Sequence, residues 1–226
     1  MDSVIQPSLR QWRREQRVEL LDRRMAIAPR QRKRFDTAIE ATLYALLRES
    51  GARRVSLYWP FKGEFNTRGL MQKLVADGVG VALPDVVATG APLVFRPWHP
   101  QAPMRRGVYA IPVPQTEAVV APDVVVAPLV GFDSGGYRLG HGGGYYDRTL
   151  AVLEPAPLVV GVGYELSRIQ TIRPRAHDVP MDRVVTEAGL YVRPAAGGLV
   201  PAPAGIAEPT TAPDSTHSHP ATQESS

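Results

Sequence analysis

The chain has 226 residues, 44% hydrophobic and 21% charged, enough to build a core as one large domain or two small ones. Its 26 Lys and Arg against 22 Asp and Glu leave +4 at pH 7, a balance that suits small phosphorylated ligands without requiring a nucleic acid. Cysteine is absent and only five histidines occur, which excludes disulfide scaffolds, thiolate metal sites and Cys nucleophiles; no apolar run nears the roughly 18 residues of a membrane span, so a cytosolic protein is expected.

Two helices are expected first. Leu9, Trp12, Val18, Leu21 and Met25 fall at helical spacing, Pro29 breaks the chain, and Phe35, Ile39, Leu43, Leu46 and Leu47 form a second stripe that Gly51 ends. Thirteen of the 26 basic residues lie in the first 54 positions, most of them as solvated helix faces. The pattern then alternates: a strand over 55–59, a helix over 67–76 and a strand over 79–83 make a β-α-β unit. Residues 99–122, with prolines at 100, 103, 112, 114 and 122, read as a long loop between strands, a place where substrate-facing residues often lie. Strands are expected at 93–95, 124–127, 158–162 and 183–186, with a helix leaving a Gly-rich segment and reaching about Leu153. Continuous apolar runs such as Val124 to Ala127 suit buried parallel strands. The fold class is therefore α/β, a mostly parallel sheet flanked by helices, as a single domain over 1–193. Residues 194–226, with six prolines and no Lys or Arg, read as a disordered tail; its His217 and His219 have no partners that would make them a metal site.

The segment from Pro128 to Asp147, PLVGFDSGGYRLGHGGGYYD, is poorly explained by folding alone. It holds seven glycines between 131 and 144, each costly in backbone entropy, placed after an apolar strand and before a helix. Unhindered N–H groups beside a positive helix terminus make an anion cradle. The nucleotide fingerprints do not match, since Tyr145 stands where G-x-G-x-x-G needs its last glycine and no G-x-x-x-x-G-K-[ST] occurs. Arg138, Tyr145, Tyr146 and Asp147 add a guanidinium, two phenols and a carboxylate.

Taken whole, this segment resembles the signature of the 5-formyltetrahydrofolate cyclo-ligase family (5,10-methenyltetrahydrofolate synthetase). The resemblance extends to the stretch from Tyr58 to Thr67, YWPFKGEFNT, and to His177-Asp178-Val179-Pro180 with Thr186-Glu187, and so runs in order across residues 10 to 187. It implies ATP-dependent conversion of 5-formyltetrahydrofolate, polyglutamylated or not, to 5,10-methenyltetrahydrofolate with release of ADP and phosphate. It further implies magnesium; beside it, a cytoplasmic monomer with no membrane partner is expected, and a nucleic-acid partner is not. Carried over, the ATP site matches Arg13, Arg17, Arg138, Leu139, Gly140, His141, Gly142, Gly143, Gly144, Tyr145 and Tyr146. Folate contacts match Trp59, Glu64, His141, Gly142, Gly143, Gly144 and Tyr145; magnesium ligands match Asp147 and Asp178; Arg138 and Tyr145 are the candidate catalytic residues. Arg13 stands where the family has Lys, with Arg10 in the other register.

The same residues have plainer readings. Trp59 can be core, Glu64 a first-turn helix charge, Asp178 a turn cap, and His141 a loop contact with nothing local to fix its tautomer. Two other functions remain open from sequence: a nucleic-acid binder using the basic helices between Arg10 and Arg34, and a family member that binds folate without turnover.

Overall fold

The computed structural model describes residues 8–195 and 197–202. Helix α1 (Leu9–Met25) begins at Ser8, whose hydroxyl accepts from the Gln11 amide, and carries Arg23 and Arg24 in its last turn, where cations offset the helix dipole. Pro29 opens α2 (Pro29–Glu49), a position where its missing N–H costs nothing.

The chain continues through β1 (Arg54–Ser56), α3 (Arg68–Ala76), β2 (Gly80–Asp85), β3 (Val94–Trp98), β4 (Met104–Arg106), β5 (Pro112–Pro114), β6 (Val124–Pro128), β7 (Gly131–Phe132) and β8 (Arg138–Leu139). Then follow α4 (Tyr145–Leu150), β9 (Leu158–Val162), β10 (Arg183–Thr186), β11 (Gly189–Val192) and β12 (Val200–Pro201). Eight strands form the main sheet in the order β12-β11-β10-β9-β6-β1-β2-β3. The strands from β10 to β2 run parallel, while at the edges β3 is antiparallel to β2, β11 to β10, and β12 to β11. The expected mostly parallel sheet is therefore present.

Alternation along β6 shows how the sheet is sandwiched. Val124 and Val126 join the layer of Ile39, Leu43 and Leu47 from α2 with Leu70 and Leu74 from α3. Val125 faces the opposite layer, with Phe95, Leu129, Phe132 and Met181. A third cluster sets Leu20 of α1 against Val130, Leu139 and Ile172, so α1 braces the Gly-rich segment directly.

Four expectations change. The strand over 55–59 ends at Ser56, because the chain leaves the ladder, where Thr67 donates its hydroxyl to the Tyr58 carbonyl at 2.6 Å. Residues 99–122 are not one loop: β4 and β5 pair antiparallel in register Met104↔Pro114 to Arg106↔Pro112, the prolines being tolerated in a two-stranded ribbon that leaves N–H groups unneeded. The helix after the glycines starts at Tyr145 and ends at Leu150, short of Leu153. The domain also passes residue 193. Leu199 is buried in the second layer and β12 pairs with β11, because one leucine and a free ladder edge suffice to dock a segment whose average composition is polar. The remaining tail, 203–226, with His217 and His219, lies outside the described residues.

Candidate active site

From β1 the chain passes outward to β2 on one side and β6 on the other, so the carboxyl ends of these strands open at a switch point, where α/β sheets leave a crevice. A cavity of about 890 Å³ lies there, lined by Tyr58 and Trp59 beyond β1, Leu83 and Pro84 of β2, and Pro128 at the end of β6. Every residue singled out from the sequence for ATP, folate or magnesium also lines it.

The glycine wall is built from the backbone up. Strands β7 and β8 pair as a short hairpin, and Asp133 closes its turn by accepting from the Gly135 and Tyr137 amides. Gly142 sits at φ 104°, a conformation that excludes other residues. A Cβ on Gly143 would come within 2.7 Å of the Tyr145 ring, so the chain passes close over that aromatic only as glycine. Arg17 reaches in from α1 and donates its Nε to the Gly140 carbonyl at 2.7 Å, and Arg148 donates to the Gly143 carbonyl at 2.5 Å.

Arg138 lies on a strand, not on a loop, and is buried at 6% exposure. Its guanidinium sits 5.0 Å from the Tyr146 ring centroid, and Nη2 is 3.1 Å from Asp147 Oδ1. That approach is an ion pair without hydrogen-bond alignment: Nε and Nη2 have no hydrogen-bond partner among the described residues, nor has the buried Tyr146 hydroxyl. Burial pushes the Tyr146 phenol far above its ordinary range, against the pull of Arg138, so it is a neutral donor. Buried donors without partners cost about 1–3 kcal/mol each, and their clustering on one wall is the signature of a ligand-binding surface.

Positive charge accumulates next to them. Burial, then the neighbouring Arg13 and Arg175, lower the Arg17 pKa from its usual value, and Asp178 offsets this only in part. Arg13 donates to the Ile172 and Arg173 carbonyls at 3.1 and 2.8 Å and pairs with Asp178 at 2.5 Å. Asp178 also accepts the Arg175 amide at 2.6 Å. Burial alone would raise the Asp178 pKa, but Arg13, that amide and His177 outweigh it and hold the carboxyl below its ordinary range. Oδ2 takes both the Arg13 pair and the Arg175 amide while Oδ1 meets Arg13 Nη1 at 3.4 Å, and the carboxylate acts as a clamp on α1.

Asp147 differs. In the first turn of α4 it meets Arg138 and the Val179 amide through Oδ1 alone. Among the described residues no group of three or more His, Cys, Asp or Glu side chains could hold a metal by itself. A magnesium ion carried by a polyphosphate needs only one or two protein carboxylates, which Asp147 fits better than the occupied Asp178.

Opposite the glycines, Lys62 and Gly63 at positive φ turn the chain so that Glu64 points inward, its carboxylate 5% exposed. Glu64 lies four residues ahead of α3, so it is not a first-turn helix charge. Its Oε2 accepts the Phe61 amide at 2.9 Å and its Oε1 lies 3.0 Å from His141 Nε2. His141 is therefore fixed, contrary to the sequence expectation. Trp59 is both core and wall: it packs on the first layer, faces the Arg68 guanidinium at 5.8 Å, and lines the cavity.

The far wall falls in the segment that the sequence marked as a loop where substrate-facing residues often lie, although no residue in it could be named. Val108, Tyr109, Ile111 and Pro112, between or at the ends of β4 and β5, line the cavity, and Tyr109 and Ala110 turn the ribbon at φ 59° and 58°. Buried Asp85 on β2 holds this ribbon, accepting from Arg96 at 2.7 Å and from Arg105 at 2.5 Å. Proline density was the available signal, but it marks irregular backbone and not where that backbone packs. Arg148 and Arg175 were also missed, being unremarkable until folding brings them to the cavity.

A sequence profile of the 5-formyltetrahydrofolate cyclo-ligase family matches residues 9–187. The chain is 30% identical over 178 residues to the 5-formyltetrahydrofolate cyclo-ligase of Haemophilus influenzae, covering 76% of this chain and 95% of that protein. It is 31% identical over 176 residues to the enzyme of the same name from Saccharomyces cerevisiae, covering 67% and 83%. The NMR structure of 5,10-methenyltetrahydrofolate synthetase from Aquifex aeolicus superposes with a TM-score of 0.69 at 30% identity, over 79% of this chain and 91% of that one.

Proposed function

The chain belongs to the 5-formyltetrahydrofolate cyclo-ligase family, and from that premise we propose that the cavity converts 5-formyltetrahydrofolate and ATP to 5,10-methenyltetrahydrofolate, ADP and phosphate. It is an ATP-dependent ligase that forms a carbon–nitrogen bond. The formyl oxygen attacks the γ-phosphorus and ADP leaves. N10 then closes the ring on the activated carbon, and phosphate departs. The protein supplies position and charge. The observation that carries this reading is Arg138, buried with Nε and Nη2 lacking hydrogen-bond partners among the described residues, beside a glycine wall that lines the same cavity, a preorganised receiver for phosphoryl charge. Tyr146 adds a neutral donor, and Arg17 and Arg175 add field. Arg13 acts through Asp178, holding α1 and hence Arg17 against the loop.

Magnesium belongs to the same proposal, with Asp147 to hold it; bound there with ATP it would neutralise phosphate charge. Trp59, Glu64 and Tyr145 are proposed to face the folate. A cytoplasmic monomer is part of the same proposal. Among the described residues no helix is long and apolar enough to cross a membrane. The basic helices do not favour the nucleic-acid alternative, because Arg13, Arg17, Arg24 and Arg32 turn inward to backbone carbonyls.

Mixing protein, magnesium-ATP and 5-formyltetrahydrofolate should raise the ultraviolet absorbance of the methenyl product with one ADP per product. Folate binding with no ADP would instead identify a member without turnover. Asp147→Asn should need far more magnesium for half-maximal rate, since a neutral amide attracts the ion weakly.

A further inference from the structure

We propose that His141 is the general base that takes the N10 proton during ring closure, with Glu64 as the residue that positions it; this rests on the cyclo-ligase reading above. A lone imidazole on a glycine-rich loop would ordinarily be free to turn. Here it is held at two points: Nε2 lies 3.0 Å from Glu64 Oε1, and the ring meets Phe61 edge-on at 5.9 Å and 62°. Glu64 is itself fixed by the Phe61 amide at 2.9 Å. The carboxylate can only accept, so neutral His141 carries its hydrogen on Nε2 and leaves a lone pair on Nδ1. This is the base-and-orienter arrangement, in which a carboxylate sets the tautomer of a histidine that moves protons. Arg17, Arg138 and Arg148 surround the loop from α1, β8 and α4 but bring only permanent cations, and Glu64 is the carboxylate in contact with the imidazole.

The chemistry gives such a group a task. In the substrate N10 carries a hydrogen, and in the methenyl product it carries none. When the N10 lone pair bonds to the formyl carbon, the N–H electrons return to nitrogen as the proton passes to His141 Nδ1. The carbon–oxygen bond then breaks and phosphate leaves with that electron pair, after which His141 returns its proton to solvent. Phosphorylation of the formyl oxygen involves no such transfer, so the base serves the second half of the reaction alone.

The test separates the halves. In a single turnover, His141→Gly should form ADP within a few-fold of the wild-type rate while methenyl absorbance appears on the order of 10²-fold more slowly, the usual range for a general base. Free imidazole should restore methenyl formation in this variant. His141→Gln, which can still donate to Glu64 but has no basic nitrogen, should be equally slow and gain nothing from imidazole. Parallel loss of ADP and methenyl formation, or an imidazole response absent from His141→Gly, would overturn the assignment in favour of a binding contact. A wild-type protein that makes neither ADP nor methenyl product would sink the cyclo-ligase reading itself, and the base with it.

Discussion

The glycine wall between Gly131 and Tyr146 is held by many separate hydrogen bonds, whereas the ribbon wall between Met104 and Pro114, seated by buried Val113, ion-pairs with the sheet at one buried carboxylate. Val130 and Leu139 bond across the β7–β8 hairpin at 2.9 Å, Asp133 closes the turn, and Arg17 and Arg148 pin the carbonyls. No single contact decides that wall. On the ribbon side, Asp85 takes both Arg96 and Arg105 on the same oxygen. The difference follows from what each wall faces. Phosphate chemistry needs donors fixed before the substrate arrives, while Val108, Ile111 and Pro112 offer apolar surface that need only be held near the cavity.

The sharpest way to break this contrast is Asp85→Ala. Removing the carboxylate leaves buried Arg96 with only the fully exposed Glu117 carboxylate 3.9 Å away, a loss of about 3–5 kcal/mol, and Tm measured by calorimetry should fall on the order of 10 °C. A shift of a degree or two would mean that the ribbon is held by something else.

Arg138 probes the other wall through activity. Arg138→Lys keeps the charge but loses the fork, and Arg138→Ala loses both, so kcat/KM should fall in the order wild type, Lys, Ala. A charge-assisted hydrogen bond is worth roughly 1.5–3 kcal/mol, which makes the Ala loss about tenfold to over a hundredfold. Because Arg138 is buried against Tyr146, the Ala variant should also lose some stability. Equal loss of folate affinity measured without ATP would move Arg138 out of the phosphate role.

The glycine wall also leans on late chain, since the Leu199 amide bonds the Ser134 carbonyl at 2.6 Å. Ending the protein after Arg193 should cost about 1.5–3 kcal/mol, the worth of one buried leucine, while ending it after Ala202 should leave Tm unchanged. Equal melting of the two truncations would show that β12 contributes nothing.

Arg105→Ala is the mildest case. Its side chain is 41% exposed, so the stability cost should stay at or below about 1 kcal/mol. The ribbon should nonetheless loosen, raising KM for the folate a few-fold with kcat and the ATP KM preserved. An unchanged folate KM would detach the ribbon from substrate binding.

Local pattern carried much of this molecule. Helical stripes such as Ile39, Leu43 and Leu47, and apolar runs such as Val124 to Ala127, reveal themselves because burial repeats with the period of the element. The glycine segment was legible for the opposite reason: its composition is expensive for folding and cheap only for a backbone that must pass close to something. Its resemblance to the cyclo-ligase signature brought Arg13, Glu64, Asp147 and Asp178 to attention, and the structure gathers them around one cavity.

What the sequence determined by itself, then, was the parallel α/β plan and the residues of the glycine wall, since both are written in spacings of a few positions. Tertiary structure alone decided that Asp178 is spent on Arg13, 165 positions away, that Glu64 orients His141 across 77, and that Arg105 returns to Asp85 across 20 to form the second wall. Those pairings depend on which charges lose water together when the layers close, and charges far apart in the chain share that loss only once the sheet has set their distance.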